Sequence, residues 1–556
     1  MIHKIQLKFG KGPHTAPEPL LVTPVTVFVG PNNSGKSKVL SEIHQYCASG
    51  QQNATDVILD QIEFELVSAE VADEKIRHVT LKPHANEALL TDHVIVGKRG
   101  SRQQLNKQNL LQSFLNANTQ SHQFCSWYLQ YNTMILDGQS RIGLVNQQGA
   151  GDLQQAPQSS FQVLFRDDAR RAEVRRIIRD AFGQYFVIDP THLGQLRVRL
   201  STRAPNDPTE ERGIHEQAVQ FHAAALPVEQ SSDGVKAFTG IITEIIAGDP
   251  AVLLIDEPEA FLHPSLAFVL GQEIARASSG SEKRVFVSTH SPNFVMGCIQ
   301  SGAPVNIVRL TYRDGVATSR VLPNNDILRL MRNPLLRSTG VLSGLFYEFI
   351  VVTEADTDRA FYQEINERLQ RFQPEFGIPN CLFLNAQNKQ TVQTIIRPLR
   401  DLGIPAAGVT DIDVLKDGGT VWTSFLESAN VPEIERLSLS TARAAVKQRF
   451  DETGKDMKRK GGVNLLAKGD REAANNLIDR LAEYGLFALR GGELESWLPG
   501  LMAQGHGPAW LIAAFERMGE DPATPGYLRP STDDVWAFIS EIKRWLTNPG
   551  RKGISA

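Results

Sequence analysis

Short apolar runs alternate with longer segments of helical period along most of this chain. The first residues, Met1 to Leu7, alternate apolar and polar positions as a first strand does, and Val25 to Val29 form a buried strand that runs through Gly30–Ser37 into the helical pattern of Lys38 to Tyr46. Val57 to Val67 and Ile76 to Leu81 alternate as half-buried antiparallel strands do. From about Gly97 to Ser126 the chain is rich in Gln, Asn and Ser, with Leu105, Leu110, Leu111, Phe114 and Leu115 at roughly helical spacing. Tyr131 to Leu144 carries Asp137-Gly138 between apolar runs, a hairpin signal. Gln147 to Ser160 reads as loop, Asp167 to Phe182 as helix, and Phe186 to Asp189 and Leu196 to Leu200 as strands. Apolar strands follow at Ala251 to Ile255, Val285 to Ser288, Ile307 to Thr311 and Val316 to Leu322, then a helical linker from Leu328 to Leu345.

Beyond the linker the pattern changes to strand–helix repeats. Phe349 to Thr353, Cys381 to Asn385 and Ala406 to Thr410 read as strands, Asp356 to Phe372 and Gln390 to Leu402 as the helices between them, and Leu486 to Leu489 as a fourth strand. Strands alternating with helices of this length predict a parallel sheet. Residues 500–556 are mostly helical, with Val535 to Leu546 amphipathic and suited to pack on that sheet's core. At 556 residues the chain exceeds a single core. The change of pattern divides it into an α/β unit over 1–325, a linker at 326–345, a second α/β unit over 346–500 and a helical end at 501–556.

Gly30 to Ser37 fits G-x-x-x-x-G-K-S in the strand–loop–helix context of a P-loop. Amides of Gly30, Asn32, Asn33, Ser34 and Gly35 would wrap phosphates, Lys36 would reach the β- and γ-phosphates of ATP, and Ser37 would hold Mg²⁺. The strand ending in Asp256 and Glu257 is a Walker B pattern. Asp256 would act on Mg²⁺ and Glu257 on the attacking water. His290 follows the next strand, where it would sense the γ-phosphate.

GPNNSGKS, LLIDEPEAFLHP and VSTHS together resemble the ATP-binding-cassette-type heads of the SMC, RecF and OLD (overcoming lysogenization defect) ATPases, over about residues 1–325. The resemblance implies a head-to-head homodimer with ATP in its interface, and makes about 95–225, between the two Walker motifs, an inserted helical and hairpin region. Gln230 to Lys236 stands where that group carries a signature segment, which implies γ-phosphate contacts in trans from Ser232 and Gly234. There is no heptad repeat for a long SMC arm.

The second chemistry lies in acids at strand ends. Glu354 ends the first strand of the repeats and Asp411 the third, and in an open parallel sheet those ends share the edge where ligands bind. Asp411 and Asp413 are two apart, so an extended segment would turn both to one face, and Asp358 lies one helical turn beyond Glu354. Converging carboxylates call for a cation. Oxygen ligands suit Mg²⁺ or Mn²⁺, and such ions assist phosphodiester cleavage. Between Ala442 and Arg471 nine basic residues, Lys458 among them, could track phosphates or form a solvated face; neither Trp nor Tyr interleaves them.

VVTEADTDRAFY and the later D-x-D resemble a Toprim domain, a Rossmann-like fold, with Ala355 where the family usually has glycine. The resemblance implies Glu354 as general base or metal ligand, and Asp411 and Asp413 as metal ligands. LRGGELESWL resembles the late G-D-L-E segment of OLD-type Toprim domains, which implies Glu495 in a second metal site, with Glu493 in place of the Asp. An ABC-type ATPase followed by Toprim is the architecture of the OLD-family nucleases, including the Gabija-type nuclease of bacterial phage defence. The resemblance implies ATP-dependent, Mg²⁺-dependent cleavage of DNA, ahead of RNA, and a co-encoded partner. The alternative is an ATP-driven sensor or scaffold whose Toprim edge binds nucleic acid without cutting.

Charge and cysteines narrow the picture only slightly. Lys and Arg number 58 against 62 Asp and Glu, a net of −4, so a nucleic-acid site would be a local patch. Cys47, Cys125, Cys298 and Cys381 form no C-x-x-C pair, which fits a reducing cytoplasm. There is neither an apolar run of about 18 residues nor a signal-peptide pattern at the start, so no membrane partner is expected.

Overall fold

The computed structural model describes residues 1–13, 15–84, 87–98, 101–154, 157–338 and 340–554. The chain divides into two compact units, Met1–Asn324 and Asn325–Ala556.

The first unit is built on a six-stranded sheet. Its order is Val316–Leu322, Val305–Arg313, Val25–Val29, Arg284–Ser288, Val252–Asp256, Thr133–Leu136. All neighbours are parallel except the first pair. The P-loop strand is buried along its whole length, with the strand leading to His290 beside it and the Walker B strand next beyond. That is why these segments read as continuous apolar runs: a parallel strand covered on both faces has no polar side. A three-stranded antiparallel sheet joins Ile2–Leu7 to Leu20–Leu21 and Leu59–Phe64.

Two segments differ from the pattern reading. Tyr131 to Leu144 is not a hairpin. Thr133–Leu136 is a single strand, parallel to the Walker B strand at the edge of the main sheet, and Asp137 caps the helix Gly138–Gly143 by accepting the amides of Gln139 and Ser140 at 3.1 and 2.8 Å. Asp-Gly suits a turn, but Asp also suits an N-cap, and the tertiary pairing decided. Part of the supposed insertion therefore belongs to the ATPase sheet. Ile76 to Leu81 is not a strand either, apart from Thr80–Leu81. Ala69–Val79 is a helix capped by Ser68, burying Ala72, Ile76 and Val79 at spacings of four and three. The Gln-rich stretch supplies the strand Ser101–Asn106, which takes up Leu105, and two helices. Phe114, Phe124 and Tyr128 pack ring to ring at centroid distances of 4.5 to 5.6 Å, and Phe124 meets Phe64 at 5.0 Å.

The second unit carries a four-stranded parallel sheet in the order Cys381–Asn385, Phe349–Thr353, Ala406–Thr410, Leu486–Ala488. On one face Val351, Ala407, Val409 and Phe487 pack with Phe361, Ile365 and Leu369 of the helix Asp356–Phe372. Trp536, Ile539, Ile542 and Leu546 of the helix Asp534–Thr547 complete that core. On the other face Gly408 lets the helix Lys389–Asp401 come close: a Cβ there would stand 2.5 Å from the Ile396 side chain. Among the described residues no helix is long and apolar enough to cross a membrane.

Candidate functional site

The nucleotide site of the first unit grows out of backbone conformations that few residues tolerate. Gly30 has φ 146° and Gly35 φ 92°. A Cβ on Gly30 would lie 2.0 Å from the Leu310 carbonyl, and one on Gly35 2.4 Å from the Ile58 side chain. Asn33 also takes a left-handed φ of 60°, which Asn adopts more readily than most residues. Asn32 and Asn33 are exposed and Ser34 is buried. The helix Lys36–Ser49 starts at the loop and is fixed by Glu42, whose buried carboxylate accepts the amides of Val57, Ile58 and Leu59 at 2.9, 3.0 and 2.7 Å. Lys36 is buried and donates to the carbonyls of Gly30 and Pro31 at 3.0 and 2.7 Å. Burial pulls its ammonium down to about 8 against the opposing pull of Glu257, Asp256 and Glu259. It is a desolvated cation held in the loop's mouth.

The Walker B strand delivers Asp256 to the P-loop helix. Its Oδ1 accepts Ser37 Oγ at 2.9 Å and also the Ser288 hydroxyl. Ser37 and Asp256 together fit a hard divalent cation, as the motif requires. Glu257, exposed and at φ 48°, lies 3.6 Å from His290 Nε2. Burial and the nearby Lys36 lower the His290 pKa, which favours the neutral ring. Two residues that pattern reading passed over hold this corner. Glu259 accepts Thr289 Oγ1 at 2.7 Å and the His290 amide at 2.9 Å, tying the loop after Walker B to the sensor segment. Arg141, buried, donates to the Asp256 carbonyl at 2.7 Å and to the Glu257 carbonyl. Arg141 lies in the stretch mistaken for a hairpin, so nothing in the sequence pattern pointed to it. Ser232 precedes the helix Asp233–Ala247 without capping it through its side chain, and Gly234 sits against the loop after Walker B, where a Cβ would be 2.5 Å from the Phe261 carbonyl.

In the second unit the C-terminal edge of the parallel sheet collects acids. One carboxylate oxygen each from Glu354, Asp411 and Asp413 lies within 4.8 Å of the others. Glu354 and Asp411 are buried, and Glu354 Oε1 accepts the Asp411 amide at 2.9 Å. Asp413 does not lie on an extended strand, as the two-residue spacing suggested. Ile412–Lys416 is a short 3-10 helix, and Asp413 reaches the cluster from its first turn. Asp358 stays beside the cluster and accepts the Ala355 amide at 3.0 Å. Burial pushes the Glu354 carboxyl up to about 8 and the Asp358 carboxyl to about 7, and Asp411 adds to both. Burial raises Asp411 as well, against the pull of Lys458.

Two lysines complete this edge. Lys458 Nζ is 2.6 Å from Asp411 Oδ2, so one member of the basic segment reaches the acids. Lys389 Nζ is 3.0 Å from Asp413 Oδ2 and 3.3 Å from Asp417. Lys389 opens the helix after the second strand, a place that topology alone puts on this edge. Ala355 has φ −129° and ψ 169°, a conformation open to any residue, so glycine is not required there. Glu495 belongs to a separate group with Glu493 and His506. It is 2.6 Å from His506 Nδ1 and accepts the Gly507 amide at 2.7 Å. Its charge still raises Asp358 and Asp411. His506 comes from a loop with no motif to mark it.

The arginines of the helix Asp168–Phe182 form an ion-paired face. Arg171 and Arg175 bind Glu211, and Arg176 binds Glu173, Asp180 and Glu273.

A family model described as "AAA domain, putative AbiEii toxin, Type IV TA system" matches residues 164–296, a span that takes in Asp256, Glu257 and His290. No curated protein matches the chain. Similar solved structures include the SMC head domain from Thermotoga maritima, at 15% identity and TM-score 0.29, covering 58% of this chain and 99% of that one. A Pyrococcus furiosus Smc head domain with an extended coiled coil, bound to the C-terminal domain of ScpA, gives 14% identity and TM-score 0.30 over 60% and 98%. An SMC head bound to the C-winged helix domain of ScpA gives 15% and 0.34 over 59% and 99%. The first unit is an α/β P-loop ATPase domain, and the second holds a parallel sheet.

Proposed function

We propose that this chain is an ATP-controlled, divalent-metal-dependent nuclease of the OLD type, cutting DNA in preference to RNA and serving anti-phage defence. The observation that carries the reading is the group Glu354, Asp411 and Asp413 at the C-terminal edge of the parallel sheet. Three acids so close, two of them buried, repel one another when ionised, and Lys458 and Lys389 each pair with only one of them. The residues fit a divalent ion: all donors are carboxylate oxygens, and Asp413 Oδ1 is a buried oxygen with no protein partner. Glu354, Asp411 and Asp413 would hold Mg²⁺ or Mn²⁺, and Glu495 with Glu493 and His506 a second ion. Bound there, the metal supplies Lewis acidity toward a phosphodiester and its attacking water.

The chain's own groups do the rest. Glu354, buried beside Asp411 at the sheet's edge, is placed to hold the ion or to take the proton of the attacking water. Lys458 and Lys389 set two positive charges at the edge, where phosphate oxygens would approach. In the first unit Lys36 binds the β- and γ-phosphates of ATP, and Ser37 and Asp256 hold its Mg²⁺. Glu257 orients the water for hydrolysis, with His290 reading the γ-phosphate. Two heads dimerise around ATP, with Ser232 and Gly234 reaching the partner's nucleotide.

The test is cleavage by the purified full-length chain in Mg²⁺ and in Mn²⁺, offered supercoiled DNA and single-stranded RNA, beside Glu354→Ala. Wild type nicks DNA faster than it cuts RNA, and Glu354→Ala is slower by about 10²–10⁴-fold. Equal rates for the two proteins would remove Glu354 from the chemistry.

A further inference from the structure

The helix Glu433–Glu452 has one apolar stripe buried and another in the open. Leu439, Val446 and Phe450 face the core. On the opposite side Ile434 is 78% exposed and Leu437 67%, and Thr441, Ala444, Ala445 and Gln448 continue the same exposed line. The positions 434, 437, 441, 445 and 448 recur at three and four residues, the spacing of a helix–helix seam. An isoleucine and a leucine left to water at that spacing are a contact surface rather than scattered exposure.

We propose that this stripe is a two-fold contact between copies of the chain, with the two helices antiparallel and crossing at Thr441. The order of residues along the helix makes it self-complementary, as an isologous contact must be. Turned end for end about Thr441, Leu437 meets the partner's Ala445, a large side chain against a small one. Ile434 meets the aliphatic stem of the partner's Gln448. The charges beside the seam are segregated in the same sense: Glu433 lies near the start of the helix and Lys447 near its end, whereas Glu435 is turned away toward Arg480 and Arg449 toward Asp470. In an antiparallel pair residues on the same flank face each other. Glu433 then faces the partner's Lys447, giving two opposite-charge pairs by symmetry. In a parallel pair the two acidic ends would meet. Within one chain Lys447 holds only an exposed partner one turn away, Asp451, which it exchanges at little cost. Nucleic acid does not suit this surface, because the exposed acid Glu433 stands beside its most apolar part.

The helix is about 30 Å long, and one such pair buries less than the roughly 1,200 Å² of a stable standard interface. It therefore acts beside a second contact, such as the heads, which raises its effective concentration.

Disulfide trapping in the full-length chain tests the geometry. At the crossing point the two Cα atoms of residue 441 come within disulfide reach, whereas those of residue 448 lie about 20 Å apart. Three native cysteines are buried and Cys381 is half-buried, so background is low. Thr441→Cys forms a covalent dimer under mild oxidation at least about tenfold faster than Gln448→Cys, and adding Leu437→Lys removes that advantage. Sedimentation velocity shows the same Leu437→Lys change lowering the assembly mass. Equal trapping at 441 and 448 would mean random collision and overturn the proposal. So would trapping at 441 that Leu437→Lys leaves untouched.

Discussion

Glu354 and Asp358 keep their protons far longer in the folded chain than in the unfolded one. Their carboxyls are pushed up to about 8 and about 7 from ordinary values of 4.5 and 3.8. Through that window the native state binds more protons than the unfolded state, so stability without metal falls as pH rises from the ordinary carboxyl range to about 8. A divalent ion takes over the protons' task of neutralising the cluster. The expected result is a rise in melting temperature on adding Mg²⁺ that is larger at about pH 8.5 than at about pH 5.5. Asp411→Ala, which removes the neighbouring charge that adds to both shifts, flattens the difference; differential scanning fluorimetry reads both. Much of this residue scale was legible. Glu354, Asp411 and Asp413 stood out because acids at the ends of parallel strands meet on one edge. Lys389 was hidden for want of a motif, though its place after the second strand was available. Arg141, Glu259 and His506 owe their positions to contacts that no periodicity encodes.

Elements were legible where burial was uniform and illegible where short signals competed. The parallel strands Val25–Val29, Val252–Asp256 and Phe349–Thr353 are apolar throughout because both faces are covered. Asp137-Gly138 satisfied a turn rule and a cap rule equally, and only the pairing of Thr133–Leu136 with Val252–Ile255 separated them. Ile76 to Leu81 failed as a strand because Ser68, Glu70, Arg77 and His78 supply cap and dipole signals for the helix Ala69–Val79 that a six-residue window misses. The cap reading makes its own prediction. Asp137→Ala removes the acceptor for two amides of the helix Gly138–Gly143, which carries Arg141 to the Walker B carbonyls. The variant should lose about 1 kcal/mol of stability in urea unfolding monitored by circular dichroism. A hairpin turn at the same place would lose no cap.

At the scale of the whole molecule, the first unit binds ATP and the second gathers acids, and each has its own core and its own parallel sheet. The P-loop is the plainest site in the sequence, yet in the proposed mechanism it governs rather than performs the cut. Lys36 and Asp411 therefore belong to different steps, and their variants should fail differently. The most direct measurement is nicking of supercoiled plasmid in Mg²⁺, with and without ATP, by wild type, Lys36→Ala and Asp411→Ala. The account predicts that wild type nicks at a rate that ATP changes. Lys36→Ala nicks at a rate indifferent to ATP, and Asp411→Ala binds ATP normally but nicks at least about a hundredfold more slowly. Nicking by Asp411→Ala at the wild-type rate would contradict it.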